Sequence, residues 1–173
     1  PPPPSSPTLR GRLRACGPSA LLPWFGVGAL GALRCGSTDA HDYTLLLGSF
    51  GASAVLLFGA PAVPFSQPRN CIGGHLLSCF VGVACYEAMA RPLGSAWLAA
   101  PVSASLALMG MQLTGTVHPP AGGTVLIAVL GSDRLHDMGF ALLLPTLVGA
   151  VILVAVAMAN NWVQGRKYPQ RWL

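Results

Sequence analysis

Gly139 to Asn161, GFALLLPTLVGAVILVAVAMANN, is a stretch of 23 residues without one charged side chain. At about 1.5 Å of rise per residue a helix of that length covers the hydrocarbon core of a bilayer, about 30 Å thick. A large soluble core could also bury such a helix, so the rest of the chain decides. Only 9% of the 173 residues are charged and 53% are hydrophobic, with a mean hydropathy of +0.59, which is the balance of a membrane protein. All five acids, Asp39, Asp42, Glu87, Asp133 and Asp137, fall at or near the ends of apolar runs, where a bilayer permits them.

The net charge of +5 therefore reports orientation and lipid contact. No interleaving of basic and aromatic residues speaks for nucleic acid. The five cysteines are odd in number and at least Cys71, Cys79 and Cys85 lie in a predicted membrane helix, so no disulfide framework is expected.

Read in order, residues 1–18 form a basic leader expected to be disordered, with the composition of an organelle transit peptide or of a plain membrane flank. Residues 19–163 form the predicted transmembrane domain, and 164–173 a basic, aromatic tail suited to the interface. Spans are expected over Ser19–Leu33, Cys71–Ala90, Ser95–Met111 and Gly139–Asn161, with a short apolar segment over Tyr43–Ala60. The linker PAVPFSQPRN precedes the second span, and SDRLHD reads as a loop before the last. Gly74, Ser78 and Gly82 recur every four residues, the seam of small side chains that lets two membrane helices approach closely.

One stretch departs from this plan. In Gln112–Gly131, QLTGTVHPPAGGTVLIAVLG, polar side chains and a proline pair interrupt the apolar sequence. Pro119 and Pro120 are expected to stop the incoming helix, and Ala121 to Leu130 reads as a new short one. Its first turn would open inside the membrane with free N–H groups and a partial positive charge, a site for an anion.

The two halves share one plan of span, loop, short Gly-rich segment, loop and long span. GSFGASAVLLFGA in the first half stands where HPPAGGTVLIAVLG stands in the second. Paired Gly/Pro-interrupted segments of this kind point to a transporter's binding site. If both cross there are six spans and the halves are inverted; if both re-enter there are four. In either arrangement the two termini share the more basic side, since Arg10, Arg12, Arg14, Arg166, Lys167 and Arg171 all lie there. The fold class is thus all-α: a polytopic membrane helix bundle of four to six spans, in two similar halves each holding a short interrupted helix.

HPPAGG at 118–123, GSFGASAVLLF at 48–58, QPRNCIGGH at 67–75 and the closing KYPQRWL resemble the HPP family of integral membrane proteins. That resemblance implies four to six membrane helices. Some members from chloroplasts and cyanobacteria are assigned to nitrite transport, so it also implies nitrite as substrate and the chloroplast envelope, or alternatively a plasma membrane, as location. Other members are joined to soluble regulatory domains.

Residue by residue, His118 is the leading candidate, as hydrogen-bond donor to an anion or as proton carrier. Gly122 and Gly123 would let an anion reach backbone N–H groups, though close helix packing needs glycine equally. Thr116 and Thr124 are candidate hydroxyl donors, with Ser49 and Ser53 their counterparts in the first half. His75 is expected to face the bundle interior opposite His118, and Arg69 and Asn70 to attract an anion at the mouth or to meet lipid headgroups. Pro119, Pro120, Gly48, Gly51 and Gly74 serve the structural motif. Glu87 and Arg91 are spaced to pair with each other. Cys71, His75 and Cys79 share a helix face, but no second Cys/His pair stands at ligand spacing, so neither metal nor other cofactor is expected. The function expected is transport of a small inorganic monovalent anion, with proton coupling as an option, by a homo-oligomer in the lipid bilayer. The alternative is a membrane-embedded sensor or scaffold that binds a small ligand without moving it. No paired carboxylates, Ser/His/acid set or nucleotide loop suggests an enzyme.

Overall fold

The computed structural model describes residues 40–172, with side chains from Gly48 onward. The leader, the expected span Ser19–Leu33 and the loop through Asp39 lie outside the described residues. Among the described residues six α-helices of six residues or more follow, α1 (Ala40–Gly59), α2 (Pro68–Cys85), α3 (Ala96–Thr114), α4 (Ala121–Leu130), α5 (Asp133–Met138) and α6 (Leu143–Val163), with a single α-turn, Arg91–Leu93, between α2 and α3. A 3-10 turn, Pro64–Ser66, leads into α2, and another, Gly139–Leu142, leads into α6. No strand is present among the described residues, and the architecture is a helical bundle.

Among the described residues three segments are long and apolar enough to cross a membrane: Pro68–Leu93, Ala96–Thr114 and Asp133–Val163. The helix over the first runs past Cys85 because Tyr86–Ala90 continues as a π turn, with the Arg91 N–H reaching back to the Tyr86 carbonyl. Pro92 follows and brings no N–H of its own, a circumstance in which a helix often widens by one residue. The Glu87–Arg91 pair sits on this turn at 2.6 Å. Gly94, with φ of 61°, then ends the helix in the left-handed conformation that favours glycine.

Two boundaries differ from expectation for identifiable reasons. Helix α3 stops at Thr114 because Gly115 adopts φ of 67° and the Thr116 N–H bonds the Met111 carbonyl, before the prolines are reached. SDRLHD is helical, its start capped by the Ser132 hydroxyl, which accepts from the Leu135 N–H.

Contacts fix the course of the chain. At one end of the bundle Arg69, at the start of α2, donates to the carbonyl of Thr114 at the end of α3. Toward the other end Ala90 beside α2, Ala99 and Ala100 of α3 and Val129 of α4 form one apolar cluster. The stretch 115–130 thus passes from one end of the bundle to the other, half as extended chain and half as the ten-residue α4, and does not turn back. Helix α1, at 20 residues, is about as long as the hydrocarbon core is thick. Its Ser49 meets Thr124 while its Ser53 meets His118, so α1 and α4 run antiparallel, as inverted halves require.

Small residues set the spacing. A Cβ added at Gly82 would stand 2.6 Å from the Ala128 Cβ and 2.8 Å from the Val125 carbonyl oxygen, and one at Gly74 2.7 Å from the His118 Cβ. The seam predicted on α2 therefore carries α4 and its approach. A Cβ added at Gly48 or Gly51 would meet nothing within 4 Å among the described residues.

The tail also departs from a simple interface anchor. Trp162 and Trp172 are exposed, but Tyr168 is buried and its hydroxyl donates to the Ser66 carbonyl at 2.8 Å. Gln67 Oε1 accepts from the N–H groups of Gln170 and Arg171. Burial, with a smaller contribution from Cys71, pushes the Tyr168 phenol above its ordinary value, so it stays a donor throughout the neutral range.

Gly82→Leu is expected to lose at least about 1–3 kcal/mol, because its clash is partly with backbone, whereas Gly51→Ala should fold as the native protein does; thermal unfolding in detergent micelles compares them. Tyr168→Phe should lose about 1 kcal/mol at neutral pH. Because the folded phenol titrates above the unfolded one, this advantage of the native chain is present below about pH 10 and declines above it. A constant difference through that range would show that the hydroxyl is not buried in this bond.

Candidate functional site

Polar side chains inside an apolar bundle must find partners, because each unpaired group costs several kilocalories per mole. At the centre of this one a chain of hydroxyls and imidazoles does so. His118 Nδ1 faces the Phe65 carbonyl at 2.7 Å, and its Nε2 lies 2.9 Å from Ser53 Oγ. Ser53 Oγ lies 2.8 Å from His75 Nε2, and His75 Nδ1 lies 2.7 Å from Thr124 Oγ1. Thr124 Oγ1 is 2.8 Å from Ser49 Oγ, which reaches the Pro120 carbonyl at 2.9 Å. His75, His118 and Ser53 have no exposed surface, and Ser49 and Thr124 are buried.

Each member is placed by local structure. Ser49 and Ser53 stand one turn apart on α1 and share a face. His75 projects from the small-residue side of α2, where Gly74 brings the backbone of residues 116–118 close. His118 stands in the extended approach to α4, held there because the residue before a proline is kept out of helical geometry. The imidazole centroids are 5.1 Å apart, and the Phe50 ring closes the other side of His75 at 4.9 Å. Of the two halves, the first contributes Ser49, Ser53 and His75, and the second His118 and Thr124.

Several expected residues do other things. The first N–H groups of α4 are not free: those of Ala121, Gly122 and Gly123 donate to the carbonyls of His118, Pro119 and Pro120 at 2.9–3.0 Å. A 3-10 start has consumed the donors that an anion was expected to use. Gly123 serves packing against Ser49, while a Cβ at Gly122 would meet nothing within 4 Å. Thr116 stands outside the chain and pairs with Thr114 at 2.7 Å. Arg69 and Asn70 tie down the loop, on the carbonyls of Thr114 at 2.7 Å and Val117 at 2.9 Å. They also line a cavity of about 350 Å³ at that end, with Gln67, Gly115 and Arg171. A cavity of about 360 Å³ lies at the opposite end, beside Tyr86, Arg91, Asp133 and His136.

Sequence spacing left Cys71 and His75 short of metal ligands, but folding brings a third. Cys71 Sγ and one ring nitrogen each of His75 and His118 lie within 4.8 Å of one another. Structural sites for soft ions use four ligands as a rule, and here every imidazole nitrogen already faces a hydroxyl or carbonyl. The set is compatible with an ion only if those bonds are given up. Sequence reasoning also missed Phe65, whose carbonyl holds His118; a main-chain acceptor carries no side-chain signal. Ser78, fully buried one turn beyond His75, has a hydroxyl with no hydrogen-bond partner.

Comparison with known proteins gives a consistent answer. Residues 9–169 match the family described as HPP, transmembrane region. A transmembrane protein of Dictyostelium discoideum is 36% identical over 165 residues, covering 95% of this chain and 53% of that protein. A second from the same organism is 40% identical over 129 residues, covering 74% of this chain and 45% of the relative. This chain therefore spans about half the length of the curated relatives it matches. No solved structure matches it. The polytopic helices, the HPP segment with its buried His118 and these similarities agree: the chain belongs to the HPP family of integral membrane proteins.

Proposed function

We propose that the protein moves a small monovalent anion across the membrane, with nitrite the leading substrate and a proton travelling with it. The observation that supports this best is the buried His118–Ser53–His75 chain, which joins the interrupted segments of both halves at mid-bundle. A polar cluster is costly at that depth, and inverted halves that meet at their short segments are the arrangement in which transporters bind ions. Of the polar cavities at the two ends, the one lined by Arg69 and Arg171 gives an anion a favourable approach, while at the other Arg91 is paired with Glu87 and stands near Asp133. Nitrite and the chloroplast envelope rest on the family resemblance, with a plasma membrane as the alternative location. The basic tail suggests that the end bearing Arg166, Lys167 and Arg171 faces the side from which the protein is inserted.

The histidines and serines are closed off from both cavities, so in this arrangement the anion enters only when the first turn of α4 or its approach moves. The matched membrane region, residues 9–169, is small for two halves that rock around a wide vestibule, and we propose that it works as a homo-oligomer. We read it as a carrier and not an enzyme: Ser53 lies between imidazoles as an activated nucleophile would, but among the described side chains no carboxylate orients either ring, and the hydroxyl has no exposed surface.

One observation favours a sensor or scaffold instead: the site is closed, and the curated relatives carry about as much chain again outside the matched region. The readings separate in proteoliposomes. Nitrite uptake should be saturable, rise as the external pH falls, and drop at least about tenfold in His118→Ala, a change of about 1.4 kcal/mol in barrier. No uptake above empty liposomes, with chloride and nitrate equally silent, would put the sensor reading first.

A further inference from the structure

The central chain can be read by counting protons. It has six contacts: Phe65 carbonyl to His118, His118 to Ser53, Ser53 to His75, His75 to Thr124, Thr124 to Ser49, and Ser49 to the Pro120 carbonyl. Each contact needs one proton between its two heavy atoms. Both ends are carbonyl oxygens, which accept only. With neutral imidazoles, His118, Ser53, His75, Thr124 and Ser49 bring one proton apiece, five in all.

One contact is therefore always empty in the neutral chain, leaving two acceptors facing each other at hydrogen-bond distance. The Ser49 carbonyl, 3.2 Å from Ser53 Oγ, is a further acceptor and only deepens the shortage. A sixth proton fills every contact. It resides on His118 or on His75, and the two forms differ by one proton handed across Ser53, whose hydroxyl accepts from one ring while donating to the other.

We propose that this chain is a binding site for a single proton shared by His118 and His75, and that Ser53 relays it between the two halves. That the proton is taken up together with the anion rests on the function proposed above. No carboxylate, lysine or arginine among the described side chains hydrogen-bonds to the chain, so a proton bound there creates an unpaired cation in an apolar site. An entering anion cancels it. The other titratable groups nearby are Cys71 and Cys79, one turn to either side of His75 on α2, and Tyr168 of the tail, which shares an apolar cluster with Cys71; the Cys79 thiol meets the Thr146 hydroxyl of α6. Helices α3, α4 and α6 carry no titratable residue, and on α1 such residues are confined to His41, Asp42 and Tyr43 near its start.

The count makes a test that simple deletion of a histidine cannot. Ser53→Ala removes two contacts and one proton, and each remaining piece is then complete with neutral rings. Thr124→Val does the same. Thr124→Ser keeps the shortage. The experiment follows histidine ¹⁵N resonances of the full chain in lipid nanodiscs as pH is lowered, with and without sodium nitrite.

In the native protein and in Thr124→Ser both rings should respond together to one protonation step, which nitrite shifts to higher pH. In Ser53→Ala and Thr124→Val the step should move to lower pH by at least one unit, and in Ser53→Ala, where the relay itself is gone, the two rings should no longer respond together. Independent titration of the rings in the native protein, or an unchanged shared step in Ser53→Ala, would overturn the proposal. A shared step that nitrite leaves in place would keep the proton site and remove the coupling, and with it the anion as its partner.

Discussion

The pair of contacts that the Ser53 hydroxyl makes with two imidazoles is the interaction on which the arrangement of the helices depends. It draws α1, α2 and the approach to α4 to one point, and in an apolar interior there is no water to replace it. Losing one partner would leave the others buried and unsatisfied, which costs more than the bond itself contributes. The helices that carry the chain are consequently fixed in register by it.

What allows that convergence is the scarcity of side chain at the contacts. Gly74 and Gly82 let the backbone of the HPP segment lie directly on α2, and Gly149 takes the Phe50 ring at the distance a Cβ would occupy. In lipid, where apolar surface gains little by leaving one apolar neighbour for another, such close approach supplies much of the association. Packing and polarity are therefore one design: the glycines bring the backbones near enough for short hydroxyls to reach across.

Much of this was legible in the sequence, and the reasons differ by element. The long spans followed from length and lack of charge, and the Ala121–Leu130 helix from proline at its threshold, because both are local properties. His118, His75, Ser49, Ser53 and Thr124 were each singled out because a polar group at membrane depth needs a reason. What stayed hidden was non-local. The donors at the start of α4 were expected to be free, but the chain folds them onto its own carbonyls. Arg69 and Asn70 look like an anion's first contact in the sequence and act as braces for a loop 45 residues away. Cys71 joins the histidines only once the HPP segment is folded against α2, and no spacing rule reaches that far.

The docking of the tail gives the bundle a mechanical property. Tyr168 holds the Ser66 carbonyl and Gln67 holds the backbone at Gln170 and Arg171, while the adjacent Phe65 carbonyl holds His118. The chain leaving the last helix is thus linked, through one short turn, to a fully buried ring of the central chain. A pull on the tail would act first on the turn whose carbonyl orients His118, which makes that turn the mechanical link between the tail and the buried histidines.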